Sequence, residues 1–278
     1  MVQDVDHILL RAINNNCVSQ SSNSGIYSTP NTLKSVLYSS AYTSAIPGMM
    51  KDLGVANEYV VLLGLTTYLL GLAVGAVICA PLSEMFGRRP IYLGSLALYT
   101  LLVIPCALAD RIGTILGVRF VAALIGVSTI ANAPGSINDI VTEEYRALAF
   151  SIWSIGPMNG PVIGPLVGGF VFQYLGWRWV FWLTLILSGA SLLCLFTIKE
   201  TYEPAILRAR AKKMRKETGN PKWWTRYDEK EKLIPLLATS LWRPFHMTFT
   251  EPILWFWDTY VSIVYGILCR GHALLSAN

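Results

Sequence analysis

Charged side chains are scarce in this sequence. Asp, Glu, Lys and Arg make up 14% of its 278 residues, where soluble domains carry about a quarter. Histidine is rarer still, with three copies scattered at His7, His246 and His272. The five cysteines, Cys17, Cys79, Cys106, Cys194 and Cys269, are odd in number, and four of them stand in apolar segments without metal-ligand spacing. They read as small apolar residues rather than disulfide partners or metal ligands. No hydrolase elbow, phosphate loop or His/Cys cluster occurs, so the sequence offers no enzyme chemistry, metal or cofactor, and nothing in it points to a nucleic-acid partner.

What the sequence has instead is apolar length. Hydrophobic residues make up 53% of it and the mean hydropathy is +0.47. Uncharged runs at Tyr59–Ser83, Pro90–Ala109, Ala147–Trp177 and Trp179–Ile198 each reach the roughly 20 residues that cross a bilayer as a helix. A fifth run, about Ile112–Ala133, is apolar apart from Arg119, and a sixth, Pro252–Cys269, is apolar apart from Asp258. These runs predict an all-α, polytopic bundle of transmembrane helices whose solvent is the lipid bilayer. The ends differ. Ser35–Met50 is uncharged but short and poor in large apolar side chains, so it reads as the outer half of a helix whose beginning is missing. Residues 1–32 form a polar segment without a basic region followed by an apolar one; no cleaved signal is expected, and the first span serves as the signal. The division that follows is a transmembrane bundle at 33–198, a central loop at 199–245, a partial helix at 246–269 and a polar tail at 270–278.

Charge sets the expected orientation. Of 22 Lys and Arg residues, 12 fall between Lys199 and Arg243, and six of them crowd into "RARAKKMRK", Arg208 to Lys216. Positive loops stay on the cytoplasmic side, which places the central loop and the "GRRP" hinge at Gly87–Pro90 inside. "KDLGVANE" at Lys51–Glu58 and "ADR" at Ala109–Arg111 then face out. The basic run has two readings, a solvated loop that holds topology or a site for anionic lipid.

The stretch "GPMNGPVIGPLVGGF", Gly156–Phe170, puts three prolines and five glycines into one apolar run. Gly156, Gly160, Gly164 and Gly168 recur every four residues, which aligns them on one helix face that a neighbour can approach closely. Pro157, Pro161 and Pro165 follow one residue behind and predict a bend beside that face. A static packing helix is the plainer alternative.

These residues resemble the fifth-helix antiporter motif of the major facilitator superfamily, in the form of its fungal drug:proton antiporters, with Gly169 completing the motif. "APLSEMFGRRP" (Ala80–Pro90) resembles the superfamily's loop motif between helices two and three, with Glu84 at the acidic position and Gly87, Arg88 and Arg89 at the Gly-basic positions. "RFVAALIG" and "GSINDI", within Arg119–Ile140, are similar to its fourth helix, and "GWRWVFW", "KETYEPAIL" and "FTEPILWFWDTYVSIVYGIL" follow the fungal branch in order and spacing. The departures are Ala80 for the usual first glycine of the loop motif and Ala123 for a frequent glycine in helix four. The resemblance implies a six-helix half of a twelve-helix fold plus part of a seventh helix, complemented by a second half. The function it implies is proton-coupled export of small molecules from the plasma membrane, with a truncated non-transporting protein or a half-transporter subunit as the alternative.

It also implies roles. Arg119, a charge inside a span, faces a cavity or partner by default and takes part in substrate binding or proton coupling; the competing expectation is that it snorkels to the outer surface near Arg111. Asp258 is a protonatable group in the seventh helix. Arg88 pairs with an acid at the end of helix four, Asp139, and Glu84 meets a helix terminus in the second half, so that the loop acts as a gate.

Overall fold

The computed structural model describes residues 32–196, 200, 202–219, 242, 246–247 and 249–277. The described residues form helices joined by tight turns. Helix α1 covers 32–53, followed by α2 (Glu58–Phe86), α3 (Arg88–Ala107), α4 (Ile112–Gly126), α5 (Ser128–Ile140), α6 (Glu143–Leu175), α7 (Arg178–Phe196) and α8 (Glu203–Thr218), with a further helix at Pro252–Ala277.

Local chemistry sets the boundaries. The Asn57 side chain accepts from the Tyr59 amide at 3.0 Å, and Glu58 adds negative charge to the first turn of α2; both favour a helix start there. Gly87, at φ 97, ends α2 and lets α3 begin at the next residue. Val127 keeps helical angles, so α4 and α5 form one 28-residue apolar span, Ile112–Asp139. Helix α6 runs without a break through Pro157, Pro161 and Pro165 to Gly176.

Five helices are long and apolar enough to cross a membrane: Glu58–Phe86, Arg88–Ala107, Ile112–Asp139, Glu143–Leu175 and Arg178–Phe196. Helix α2 packs on α4 and α5, α3 on α4 and α7, and α6 on α7. Between α2 and α6 stands α1. Its Tyr42 hydroxyl donates to the Val61 carbonyl at 2.8 Å, while the Ser40 and Ser44 hydroxyls donate to the Gly160 and Pro165 carbonyls at 3.0 and 3.1 Å. Tyr38 of α1 meets Tyr68, Tyr99 and Phe181 edge-on, at 5.3, 6.1 and 6.0 Å between ring centres, so the aromatic core joins α1, α2, α3 and α7. Edge-to-face pairs of this kind add about 0.5–1.5 kcal/mol each beyond area burial.

The connections collect at two ends. At one, the Trp177 indole donates to Asp52 at 2.7 Å and Arg178 pairs with Asp110 at 3.2 Å. At the other lie Gly87, Arg88, Asp139 and Glu200. The loops expected on opposite sides are therefore at opposite ends of the bundle.

Three of the expected segments gain detail. The first helix covers 32–53 among the described residues, and its small residues are what let it lie against α6. The segment expected as the central loop includes a helix, α8, started by Pro204 and closed by Gly219 at φ 64. The polar tail is not separate from the last apolar run, because the final helix continues to Ala277. The expectations for residues 1–31 lie outside the described residues.

Candidate functional site

Arg119 is completely buried in α4. It does not reach a surface, because three tyrosines enclose it: the guanidinium carbon lies 4.0 Å from the Tyr42 ring centre, 4.4 Å from Tyr38 and 5.0 Å from Tyr68. Stacking over ring faces is favourable for a cation, more so away from water. Its Nε donates to the Gly64 carbonyl at 3.0 Å, whereas Nη1 and Nη2 are buried without a hydrogen-bond partner. Glycines make the arrangement possible. A Cβ at Gly64 would collide with the Tyr42 hydroxyl, and one at Gly71 would stand 2.5 Å from the Phe120 carbonyl, so α2 approaches α4 backbone to backbone at the level of the arginine. The result is a permanent positive charge held by neutral groups, with two guanidinium nitrogens still able to donate.

The second cluster lies at the Arg88 end. Arg88 Nη2 meets the Asp139 carboxylate at 3.3 Å, and Nη1 donates to the Ser83 hydroxyl at 2.6 Å, which itself donates to the Asn132 side-chain carbonyl at 3.0 Å. A Cβ on Gly135 would lie 2.7 Å from Arg88 Nη2, so the guanidinium seats directly on the α5 backbone. From beyond α7, the Glu200 carboxylate accepts from the Arg88 and Arg89 amides at 3.0 and 3.1 Å and from the Tyr202 amide at 3.1 Å. Those first two amides open α3 and have no intrahelical partner. Arg88 also lies over the Tyr202 ring at 5.4 Å. Burial, reinforced by the nearby Glu84 carboxylate, pushes the Tyr202 phenol up.

The third feature is the seam between α1 and α6. Gly156, Gly160, Gly164 and Gly168 are buried on one line. Added Cβ atoms at Gly160 and Gly168 would lie 2.7 Å from Val36 and 2.9 Å from the Ala41 carbonyl, and one at Gly164 would collide with Ser40.

The sequence model of the Major Facilitator Superfamily matches residues 32–277. The chain belongs to that superfamily. It is 36% identical over 232 residues to the MFS-type transporter paaT of Penicillium rubens, covering 83% of this chain and 42% of that protein. To the multidrug transporter FLR2 of Candida glabrata it is 35% identical over 210 residues, covering 73% of this chain and 36% of that one. The chain thus spans less than half the length of these curated relatives. The solved structure of XylE, an MFS proton:xylose symporter, superposes with a TM-score of 0.61 at 15% identity, covering 87% of this chain and 56% of that one; the likeness is one of fold. Together with the five apolar helices, membership makes the chain an integral, multi-pass membrane protein and not an enzyme.

Against this superfamily background, the structure brings together Arg88 and Asp139, and it lines up Gly156, Gly160, Gly164 and Gly168 as a contact face. It does not gather every residue the sequence singled out. Gly169 has open space where a Cβ would stand, so it is not part of the seam. Glu84 is exposed at the end of α2 and has no ion pair among the described residues. Arg89 is exposed too, its Nη2 donating to the Phe196 carbonyl at 3.3 Å. Asp258 is exposed on the final helix while Arg119 is fully buried, so these two are not in contact.

Three kinds of residue escape a linear reading. The tyrosines around Arg119 look like ordinary apolar-span aromatics, and Ser83 and Asn132 look like isolated polar residues. Glu200, inside "KETYEPAIL", carries no spacing signal for its capping role because the two amides it caps stand more than a hundred positions earlier, 112 in the case of Arg88. Glu200→Ala is expected to destabilise the purified chain by about 1–2 kcal/mol, the worth of a helix cap strengthened by charge. Thermal unfolding in detergent reads this, and an unchanged midpoint would rule out the capping role.

Proposed function

We propose that this chain forms the N-terminal half of an exporter that couples outward passage of small molecules, of the multidrug type, to proton entry across the plasma membrane. The observation that carries the reading is Arg119: a charge inside a span, sealed by neutral rings, with two nitrogens left to donate. Charges inside membranes are rare and mark transport or proton pathways. A guanidinium does not lose its proton, so Arg119 acts through its field, stabilising a carboxylate when that group is ionised and releasing it when a proton arrives. Asp258 is a candidate for such a carboxylate once a complementary second half packs against this one.

The Arg88 cluster serves as the gate. In this role the Arg88–Asp139 pair, with Ser83 and Asn132, ties α3 to α5 and the end of α2, and Glu200 ties the same point to the segment after α7. Glu84 and Arg89, exposed on the same loop, would meet the second half. Twelve of the 22 basic residues lie from Lys199 to Arg243, which supports a cytoplasmic position for this end. Substrate would bind between the two halves near the bilayer midplane, where transporters of this architecture place their sites.

The relatives' greater length favours one second reading, a membrane subunit that does not transport by itself. Reconstitution separates the two. Vesicles containing the purified chain together with a separately expressed second half from a fungal relative should accumulate a fluorescent dye when a pH gradient is imposed. Vesicles with the chain alone should not. Dye flux that ignores the pH gradient would overturn proton coupling, and no flux with both halves would favour the subunit reading.

A further inference from the structure

The basic helix α8 does more than carry charge beside the bundle. A cavity of about 730 Å³ opens between it and the end of α2, where Met85 and Phe86 form one wall. The volume falls in the range of small-molecule sites, roughly 300–1,000 Å³. The opposite wall is a single face of α8: Arg208, Lys212 and Lys216 recur every four residues and Arg215 stands three beyond Lys212, spacings that stack on one side of a helix. Ala205 and Ala209 continue that face, so no large side chain of α8 itself fills the space in front of the cations.

Charge in the cavity is one-sided. Among the described residues, no acidic residue lines it. Glu217 turns to Lys213 on another face, at 3.7 Å, and Glu200 is occupied at the start of α3. Arg208 donates to the Met85 carbonyl at 3.4 Å, fastening α8 to the end of α2. Lys212 and Lys216 have no ion pair among the described residues. Like charges on adjacent turns of a helix repel one another, and an anion between them would relieve that repulsion. The apolar wall fixes the level: α2 is a membrane-crossing helix that ends at Phe86, which is 52% exposed, and the end of such a span lies near the lipid headgroups.

We propose that this cavity binds the phosphorylated headgroup of an anionic phospholipid, with Lys212 and Lys216 on the phosphate and Phe86 against the start of the acyl chains. Basic clusters on amphipathic helices beside a span recognise such lipids. Of the two readings of "RARAKKMRK", this one accounts for the position of the four groove-facing cations, while Arg210 and Lys213 remain outside the cavity.

The proposal stands apart from transport, because binding is read without flux. The full chain, purified in neutral detergent at about 0.15 M salt, is titrated with dioctanoyl phosphatidylinositol phosphate, with dioctanoyl phosphatidylcholine and inorganic phosphate as comparisons. Saturable binding of the inositol lipid alone is expected. Lys212→Gln with Lys216→Gln should weaken it roughly 30-fold, and Arg210→Gln with Lys213→Gln by no more than about twofold. Unchanged thermal midpoints would show that both variants fold. Equal losses in the two pairs would replace a site with diffuse attraction and overturn the proposal, as would absence of binding by the parent chain or equal binding of the choline lipid. Displacement by inorganic phosphate at matching concentration would overturn the lipid as its source.

Discussion

Arg119→Ala is expected to stop proton-driven efflux when this half operates with its complement, and Arg119→Lys to restore little of it. The reason is geometric as much as electrostatic. A planar guanidinium lies among Tyr38, Tyr42 and Tyr68 with ring-centre distances of 4.0 to 5.0 Å, and its Nε holds the Gly64 carbonyl at 3.0 Å. An ammonium keeps the charge but is a compact, strongly hydrated point that cannot occupy that slot while presenting two further donors. Substrate exchange at equal pH on both sides is the informative second measurement. If Arg119 couples protons, exchange by the alanine variant persists while accumulation against a gradient fails. If both vanish together with the thermal midpoint, the residue only holds α1, α2 and α4 together; full activity with alanine would exclude any role in coupling.

Gly160→Leu and Gly168→Leu should abolish transport while leaving membrane insertion intact, and each should lower stability by about 1–3 kcal/mol, the usual cost of forcing extra carbon into a packed contact. At Gly168 the obstacle is α1 backbone, with the Ala41 carbonyl oxygen 2.9 Å from the added Cβ, and backbone cannot rotate aside as a side chain can. Gly169→Leu is the matched control. It changes the neighbouring glycine of the same motif, meets nothing within 4 Å and is expected to transport normally. Efflux measured at equal amounts of inserted protein decides the matter. A functional Gly168 variant would show that the seam tolerates separation, and failure of all three would shift the explanation from contact to backbone flexibility of α6.

Much of this fold could be read from composition, because a bilayer punishes charge and unpaired backbone more severely than water does. The uncharged runs Tyr59–Ser83, Pro90–Ala109, Ala147–Trp177 and Trp179–Ile198 became helices with ends within a few residues of the expected positions. Other elements resisted for physical reasons. Helix α1 looked too poor in large apolar groups because part of its surface faces glycines rather than lipid: Ser40 and Ala41 fit against Gly160, Gly164 and Gly168, where bulk would not. The fourth span looked complete near Ala133 because Asn132, Ser136 and Asp139 are polar, yet these are the residues that reach Ser83, Tyr92 and Arg88. The Arg88–Asp139 pair and the glycine line were legible through motif and period. The cage of Arg119 was not, since nothing in the spacing of Tyr38, Tyr42 and Tyr68 says that a cation stands among them.

Glu200 gives the assembly a direction in time. The start of α3 is synthesised 112 residues before the carboxylate that caps it, an interval of roughly 6 to 22 s at ribosomal speeds of about 5–20 residues per second. Throughout that interval the Arg88 and Arg89 amides depend on water. They gain their permanent acceptor only after α7 has emerged and returned its last turn to the same end of the bundle. Closure of this contact therefore coincides with completion of the bundle, and a nascent chain interrupted before residue 200 would carry an open helix end for a quality-control factor to find.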